Sequence, residues 1–120
     1  METKDLILRN WQDSDAKALY EMCLDETLRK SGIDFYNSIT DSQNTIQCWK
    51  NDKGFKVIAD KRNDNFIGFI SLGGMSRYDG YMEIEYAVAA RYRNNGYAMQ
   101  AVQRMLDYGF KEMNLSTIAA

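Results

Sequence analysis

The stretch that decides the fold is Glu83-Ile84-Glu85-Tyr86-Ala87-Val88-Ala89-Ala90-Arg91-Tyr92-Arg93-Asn94-Asn95-Gly96-Tyr97-Ala98. Its first half has the composition of a buried β-strand, and a polar loop centred on Gly96 follows. A helical pattern begins directly after the glycine and continues to about Lys111. The first turn of a helix has backbone N–H groups without partners in the helix, and the peptide dipoles add positive charge there. The pattern therefore predicts a strand–loop–helix unit that binds an anion such as a phosphate.

The residues before this unit predict a sheet of mainly antiparallel strands. Their composition indicates strands at residues 4–10, 55–59, 66–72 and 81–88. The short polar turn between the second and third of these strands is typical of a β-hairpin, and a second hairpin follows it. Helices are predicted from Asp13 to about Leu24 and from Thr40 to Trp49. The segment 25–37, interrupted by Gly32, is predicted to be a loop with a short helix.

The end of the chain predicts one further strand. After the helix, Asn114-Leu115-Ser116 is expected to form a break, and Thr117-Ile118-Ala119-Ala120 to begin a strand. Because β-α-β crossovers are right-handed, this strand should lie parallel to the one at 81–88. The predicted fold class is therefore α/β (α+β). Its sheet is mixed, and antiparallel strands precede a β-loop-α-β unit.

The composition limits the possible functions. A chain of 120 residues with 45% hydrophobic residues suits a single domain, 1–120. The net charge of −2, with scattered Lys and Arg, argues against a nucleic-acid partner. No apolar run approaches the ~18 residues of a membrane span, so we expect a cytoplasmic protein without a membrane partner. Histidine is absent, which excludes His-activated nucleophiles and the commonest metal ligand. No metal is expected. Cys23 and Cys48 are predicted to pack in the core.

The loop carries a resemblance to a known family. Arg93-Asn94-Asn95-Gly96-Tyr97-Ala98 resembles the Arg/Gln-x-x-Gly-x-Gly/Ala loop of the Gcn5-related N-acetyltransferase (GNAT) superfamily. The preceding strand and Tyr92 are similar to its branch of ribosomal-protein N-terminal acetyltransferases, as are Leu6-Ile7-Leu8-Arg9, Phe66-Ile67-Gly68-Phe69-Ile70, Tyr108-Gly109-Phe110 and Asn114-Leu115. The resemblance covers nearly all of the chain. It implies a GNAT-like fold and an N-acetyltransferase that uses acetyl-CoA as co-substrate.

The resemblance also implies roles for individual residues. The pantetheine arm of acetyl-CoA would pair with backbone groups of Tyr86, Ala87, Val88 and Ala89, foremost Val88. The pyrophosphate would lie against the N–H groups of Asn94, Asn95, Gly96, Tyr97 and Ala98, with Arg93 opening the loop. An Asn-Gly pair is also common in plain turns, but the strand before it and the helix after it favour phosphate binding.

The expected chemistry is direct attack of a substrate amine on the thioester. Glu83, or with less support Glu85, would take the proton from the amine. Two glutamates at i and i+2 share one face of a strand, which can equally be the solvent-exposed face. The acceptor would be a primary amine of a protein N-terminus or a small molecule.

The end of the chain departs from the family pattern. The family's domain continues past the strand that begins at Thr117 with a further helix and two strands, so we expect a domain that is incomplete at its C-terminus. The alternative to an active enzyme is a non-catalytic fragment that binds CoA weakly or only self-associates. An open sheet edge would favour a homodimer.

Overall fold

Five strands form one mixed sheet in a computed structural model that describes residues 1–30, 36–73, 81–111 and 117–119. The strands are β1 (Leu6–Arg9), β2 (Phe55–Asp60), β3 (Phe66–Gly73), β4 (Tyr81–Val88) and β5 (Thr117–Ala119), in that spatial order. The first four are antiparallel neighbours, and β5 runs parallel to β4. The predicted fold class is confirmed, and so is the parallel direction of the last strand.

The register of β4 determines where a ligand has access to the sheet. Along one side, β4 pairs with β3 from Glu83 to Val88. Along the other side, the described pairing with β5 covers only residues 81–83. For Ile84 to Val88, no pairing on this second side is described among the residues that the structure covers.

Within the described ranges, four α-helices accompany the sheet: α1 (Ala16–Met22), α2 (Glu26–Lys30), α3 (Ile39–Trp49) and α4 (Tyr97–Lys111). A 3-10 turn over 13–15 precedes α1, which ends two residues before the predicted Leu24. The short helix expected within 25–37 is α2. Helix α3 begins one residue before the predicted Thr40, because the hydroxyl of Ser38 caps it by accepting the Asp41 N–H at 3.1 Å. The breaks predicted at Gly32 and 114–116 lie outside the described residues.

Two apolar clusters cover the two faces of the sheet. Helices α1–α3 pack on one face around Trp11, Leu19, Ile46, Val57, Phe69 and Ala87. Helix α4 packs on the other face around Leu6, Ile58, Ile67, Ile70, Ile84 and Met105. Neighbouring residues of one strand, such as Val57 and Ile58, point to opposite clusters, as the period of a strand requires. The result is a three-layer arrangement that holds β4 and α4 in a fixed relation.

The two cysteines have different environments. Cys23 is buried at the end of α1, as predicted. The prediction for Cys48 is wrong, because its side chain is exposed. Ile46 is buried on the side of α3 that faces the core. Cys48, two positions later, therefore lies on the opposite side of that helix. Among the described helices, none has the length and apolar character needed to cross a membrane.

Candidate active site

The loop between β4 and α4 has the geometry of an anion cradle. Asn94 and Gly96 have positive φ angles of 66° and 76°, which turn the chain sharply into α4 at Tyr97. The Gly96 carbonyl accepts the N–H of Gln100 at 3.2 Å, whereas the N–H groups before Gln100 have no acceptor inside the helix. A Cβ placed on Gly96 would have no atom within 4 Å, so the space in front of the loop is open. The predicted phosphate-binding loop is thus formed as a local structure.

Side-chain hydrogen bonds fix the loop to its surroundings. The amide of Asn95 donates to the carbonyl oxygens of Tyr92 at 3.1 Å and Arg93 at 3.3 Å. The Nε of Arg93 donates to the carbonyl oxygen of Val88 at 3.1 Å, and its Nη2 donates to Asp25 at 2.9 Å. Asp25 precedes α2 and accepts the backbone N–H of Thr27 at 2.9 Å. The N–H of Thr27 and the guanidinium of Arg93 together hold the pKa of Asp25 below its ordinary value.

A cavity of about 400 Å³ lies beside the loop. Its walls come from α2, from the end of β4 and from the loop with the start of α4, at Thr27, Leu28, Tyr86, Ala87, Val88, Tyr92, Arg93, Asn94, Gly96, Tyr97 and Ala98. The structure therefore brings together eight of the ten residues predicted to contact the cofactor. Of the other two, Ala89 lines a neighbouring depression with Asp25 and Arg91, and Asn95 lines another with Arg62.

The backbone groups at the end of β4 face two different directions. The N–H of Ala89 donates to the carbonyl of Ile67 in β3 at 2.8 Å. Since backbone groups alternate in direction along a strand, the N–H and C=O of Tyr86 and Val88 point away from β3. The bond from Arg93 to the Val88 carbonyl agrees with this direction. The strand edge that the cofactor arm was predicted to use thus lies on the side of β4 that points away from β3.

Of the two predicted proton acceptors, only Glu85 has a described side chain. That side chain is exposed and does not line the cavity, and the Glu85 backbone pairs with Ser71 of β3. The backbone of Glu83 is paired with Ala119 of β5. The side chain of Glu83 lies outside the described structure, so its catalytic role stays a prediction. The described residues contain no cluster of metal-ligating side chains.

Some site residues were not predicted from the sequence. Thr27 and Leu28 line the cavity from α2, and Asp25 binds Arg93 across a separation of 68 residues. The sequence analysis treated this segment only as a loop with a short helix. No local spacing relates residues so distant in the chain, so only the packing of α2 against the loop identifies them.

The fold and the cavity define a class of protein. Backbone groups of β4 that point away from β3, followed by an anion loop and a helix, suit a phosphate-bearing cofactor with an extended arm. The chain belongs to the acetyltransferase (GNAT) domain family, whose sequence profile matches residues 5–120. It is therefore placed among the acetyltransferases, as the loop motif predicted.

Individual relatives agree with this membership. The uncharacterized N-acetyltransferase YnaD of Bacillus subtilis is 34% identical over 98% of this chain and 69% of its own length. A GNAT-family acetyltransferase from Bacillus anthracis has a TM-score of 0.84 at 24% identity, over 96% of this chain and 68% of that one. A spermidine N-acetyltransferase from Vibrio cholerae, solved with CoA and spermine, has a TM-score of 0.78 at 21% identity, over 97% and 70%. The two structural similarities support the fold.

Proposed function

We propose that this chain binds acetyl-CoA in the cavity between α2, β4 and the loop 93–98, and transfers the acetyl group to a primary amine. The observation that supports this most strongly is the position of the anion loop directly after β4, whose last residues line the same cavity as the loop. A spermidine N-acetyltransferase of similar fold was solved with CoA, which is consistent with the proposal. Residues 1–120 are proposed to act as a single domain.

The residues present fit the chemistry of this co-substrate. The N–H groups from Asn94 to Ala98 would offset the charge of the pyrophosphate, and the open space before Gly96 allows a close approach. The N–H of Val88 and the backbone groups of Tyr86 would pair with the amides of the pantetheine arm. The apolar side chain of Leu28 would cover the arm from α2. When bound, acetyl-CoA supplies a thioester whose acyl carbon is open to attack by an amine.

The transfer requires that a proton leave the amine. The amine nitrogen forms a bond to the acyl carbon, the carbon–sulfur bond breaks, and CoA departs as the thiolate, which takes a proton from solvent. We assign the proton acceptor to Glu83, directly or through a water molecule, with Glu85 as the alternative. Glu83 is favoured because it matches a recurrent glutamate of the ribosomal-protein acetyltransferase branch that the sequence resembles.

The proposed acceptor is an unhindered primary amine. Within the family, the sequence motifs are most similar to the ribosomal-protein N-terminal acetyltransferases, which suggests a peptide N-terminus. The spermidine N-acetyltransferase with a similar fold suggests a polyamine instead. Both substrates present a primary amine, so the panel of acceptors should contain both kinds.

Two measurements test the function. Calorimetry of the folded chain should show one acetyl-CoA site, and thiol release should exceed background with at least one amine among N-terminal peptides and polyamines. Absence of acetyl-CoA binding by a folded sample would refute the proposal. Binding without turnover on any amine would support the alternative, a non-catalytic CoA-binding fragment.

Self-association stays a prediction. The proposed contact is pairing between the sheet edges of two copies of the chain. Sedimentation at micromolar concentration tests this, and a stable monomer would count against a homodimer.

A further inference from the structure

We infer that Asp25 is a positioning residue for the cofactor loop, acting through its ion pair with Arg93. The pair connects the start of α2 to the loop, so one contact fixes the positions of both walls of the cavity. This inference rests on the proposed function, because the cavity is a cofactor site only if that proposal holds.

Arg93 is the centre of the contact. Its Nε donates to the Val88 carbonyl at 3.1 Å, and its Nη2 donates to Oδ2 of Asp25 at 2.9 Å. One guanidinium therefore connects the end of β4, the first residue of the loop and the residue before α2. Arginine suits this role because its donors have a rigid planar arrangement, whereas a lysine would offer a single charged point.

The ion pair is better shielded than an ordinary surface pair. The side chains of Arg93 and Asp25 are 33% and 22% exposed, whereas those of Lys17 and Glu21, an ion pair on α1, are 73% and 60% exposed. Water and salt screen exposed pairs strongly and partly buried pairs less. Loss of the Asp25 contact should consequently have a measurable effect on the cavity.

Asp25 transmits this contact to the wall formed by α2. Its Oδ1 accepts the N–H of Thr27 at 2.9 Å, while its Oδ2 accepts the bond from Arg93. Thr27 and Leu28 follow directly and line the cavity. The carboxylate thus holds the cavity-lining residues of α2 at a fixed distance from the loop.

The arrangement also assigns Arg93 a structural task. Its guanidinium is engaged by Val88 and Asp25, so the phosphate charge falls mainly on the backbone N–H groups of the loop. Removing Asp25 deletes no direct contact with the cofactor. It loosens the loop and α2 together, which should weaken acetyl-CoA binding more than it slows transfer at saturation.

Substitutions of Asp25 can separate its two hydrogen bonds. Asp25→Ser keeps a short oxygen that can cap the Thr27 N–H but cannot reach Arg93, whereas Asp25→Asn keeps one uncharged acceptor oxygen and has an NH2 donor in place of the other. We expect the Kd of acetyl-CoA to rise about tenfold in Asp25→Ser and about threefold in Asp25→Asn, because charge-assisted hydrogen bonds are the stronger ones. In Asp25→Ser, KM for acetyl-CoA should rise with kcat changed less than about twofold.

A double-variant cycle identifies the route of the effect. Arg93→Gln removes the bond to Val88 as well as the Asp25 contact, so it should weaken binding at least as much as Asp25→Ser. The double variant should be no weaker than Arg93→Gln alone, because the Asp25 contact is already lost in that variant. The matched control is Asp13→Asn, which removes an exposed ion pair with Lys50 away from the cavity and should leave binding unchanged. Circular dichroism and denaturant unfolding confirm that each variant is folded.

Each outcome has a distinct meaning. Weaker binding in Asp25→Ser, with non-additivity toward Arg93→Gln, supports the inference. Wild-type affinity in Asp25→Ser, tighter binding, or full additivity overturns it while leaving the proposed function intact. Failure of the folded wild type and of Asp13→Asn to bind acetyl-CoA refutes the proposed function, and the inference with it.

Discussion

The Nε of Arg93 lies 3.1 Å from the carbonyl oxygen of Val88. This hydrogen bond joins the first residue of the anion loop to the last residue of β4. A strand edge and a phosphate cradle therefore keep a constant separation, as a cofactor with an arm and a pyrophosphate requires. Because these contacts are local and specific, substitutions at single positions can test them.

Gly96 should matter more for binding than for folding. At a φ of 76°, Gly96→Ala is expected to cost about 1–2 kcal/mol of stability, since a left-handed conformation crowds a Cβ. The added Cβ would also project into the open space that the phosphate is proposed to fill. We expect acetyl-CoA binding to fall by a further factor of ten or more, at about 1.4 kcal/mol per tenfold. Denaturant unfolding and calorimetry measure the two effects.

Asp64→Ala is the control for a loss of stability away from the cavity. Asp64 lies in the turn between β2 and β3, its carboxylate pairs with Arg9 at 2.9 Å, and it does not line the cavity. The variant should lose some stability with the ion pair, while its acetyl-CoA affinity stays unchanged. If Gly96→Ala bound as well as Asp64→Ala, the loop would not be the phosphate site.

Much of this arrangement was predictable from the sequence, and the reasons are local. The spacing of apolar residues identified α4, and the position of Gly96 identified the loop. The crossover rule gave the parallel direction of β5. Asp25 and Leu28 were not predicted as site residues, because their place in the site depends on how α2 packs and not on a periodic pattern. The exposure of Cys48 was missed because a lone apolar side chain near a helix end does not reveal which face of the helix it occupies.

Glu83→Gln should separate chemistry from binding. If Glu83 accepts the proton, the variant should lose about 10²–10⁴-fold in kcat with unchanged acetyl-CoA affinity. The limb of the pH–rate profile that reports the base should disappear as well. Glu85→Gln is the control, because the Glu85 side chain is exposed and outside the cavity lining. An inactive Glu85→Gln together with an active Glu83→Gln would reverse the assignment.

Trp11 should tolerate replacement by phenylalanine. Its side chain is buried against Trp49, Phe55 and Phe66, and its Nε1 has no hydrogen-bond partner among the described residues. Trp11→Ala should cost about 3–5 kcal/mol of stability because it leaves a cavity. Trp11→Phe also loses volume, but it removes the indole N–H, a buried donor whose lack of a partner costs about 1–3 kcal/mol. We expect a clearly smaller loss for Trp11→Phe in denaturant unfolding, and equal losses would show that the indole N–H is satisfied.

Acid should destabilise the protein partly through Asp60. The side chain and backbone N–H of Arg62 hold the pKa of Asp60 below its ordinary value of 3.8. Near pH 4 the unfolded state therefore binds more protons than the folded state. The contribution of Asp60 to stability is present above about pH 4 and declines as the pH falls through the pKa of Asp60 in the folded state. Asp60→Asn should show a smaller loss of stability between pH 6 and pH 3, measured by urea unfolding. A loss as large as that of the wild type would exclude this role.

The most direct test is to map acetyl-CoA onto the folded chain by nuclear magnetic resonance. In a ¹⁵N-labelled sample, we predict that titration shifts the amide signals of residues 94–98 and of Tyr86 and Val88. The amides of α3, which contributes no residue to the cavity lining, should change little. Shifts confined to other surfaces, or no shifts in a folded sample at millimolar acetyl-CoA, would contradict the assignment of this loop and strand edge as the cofactor site.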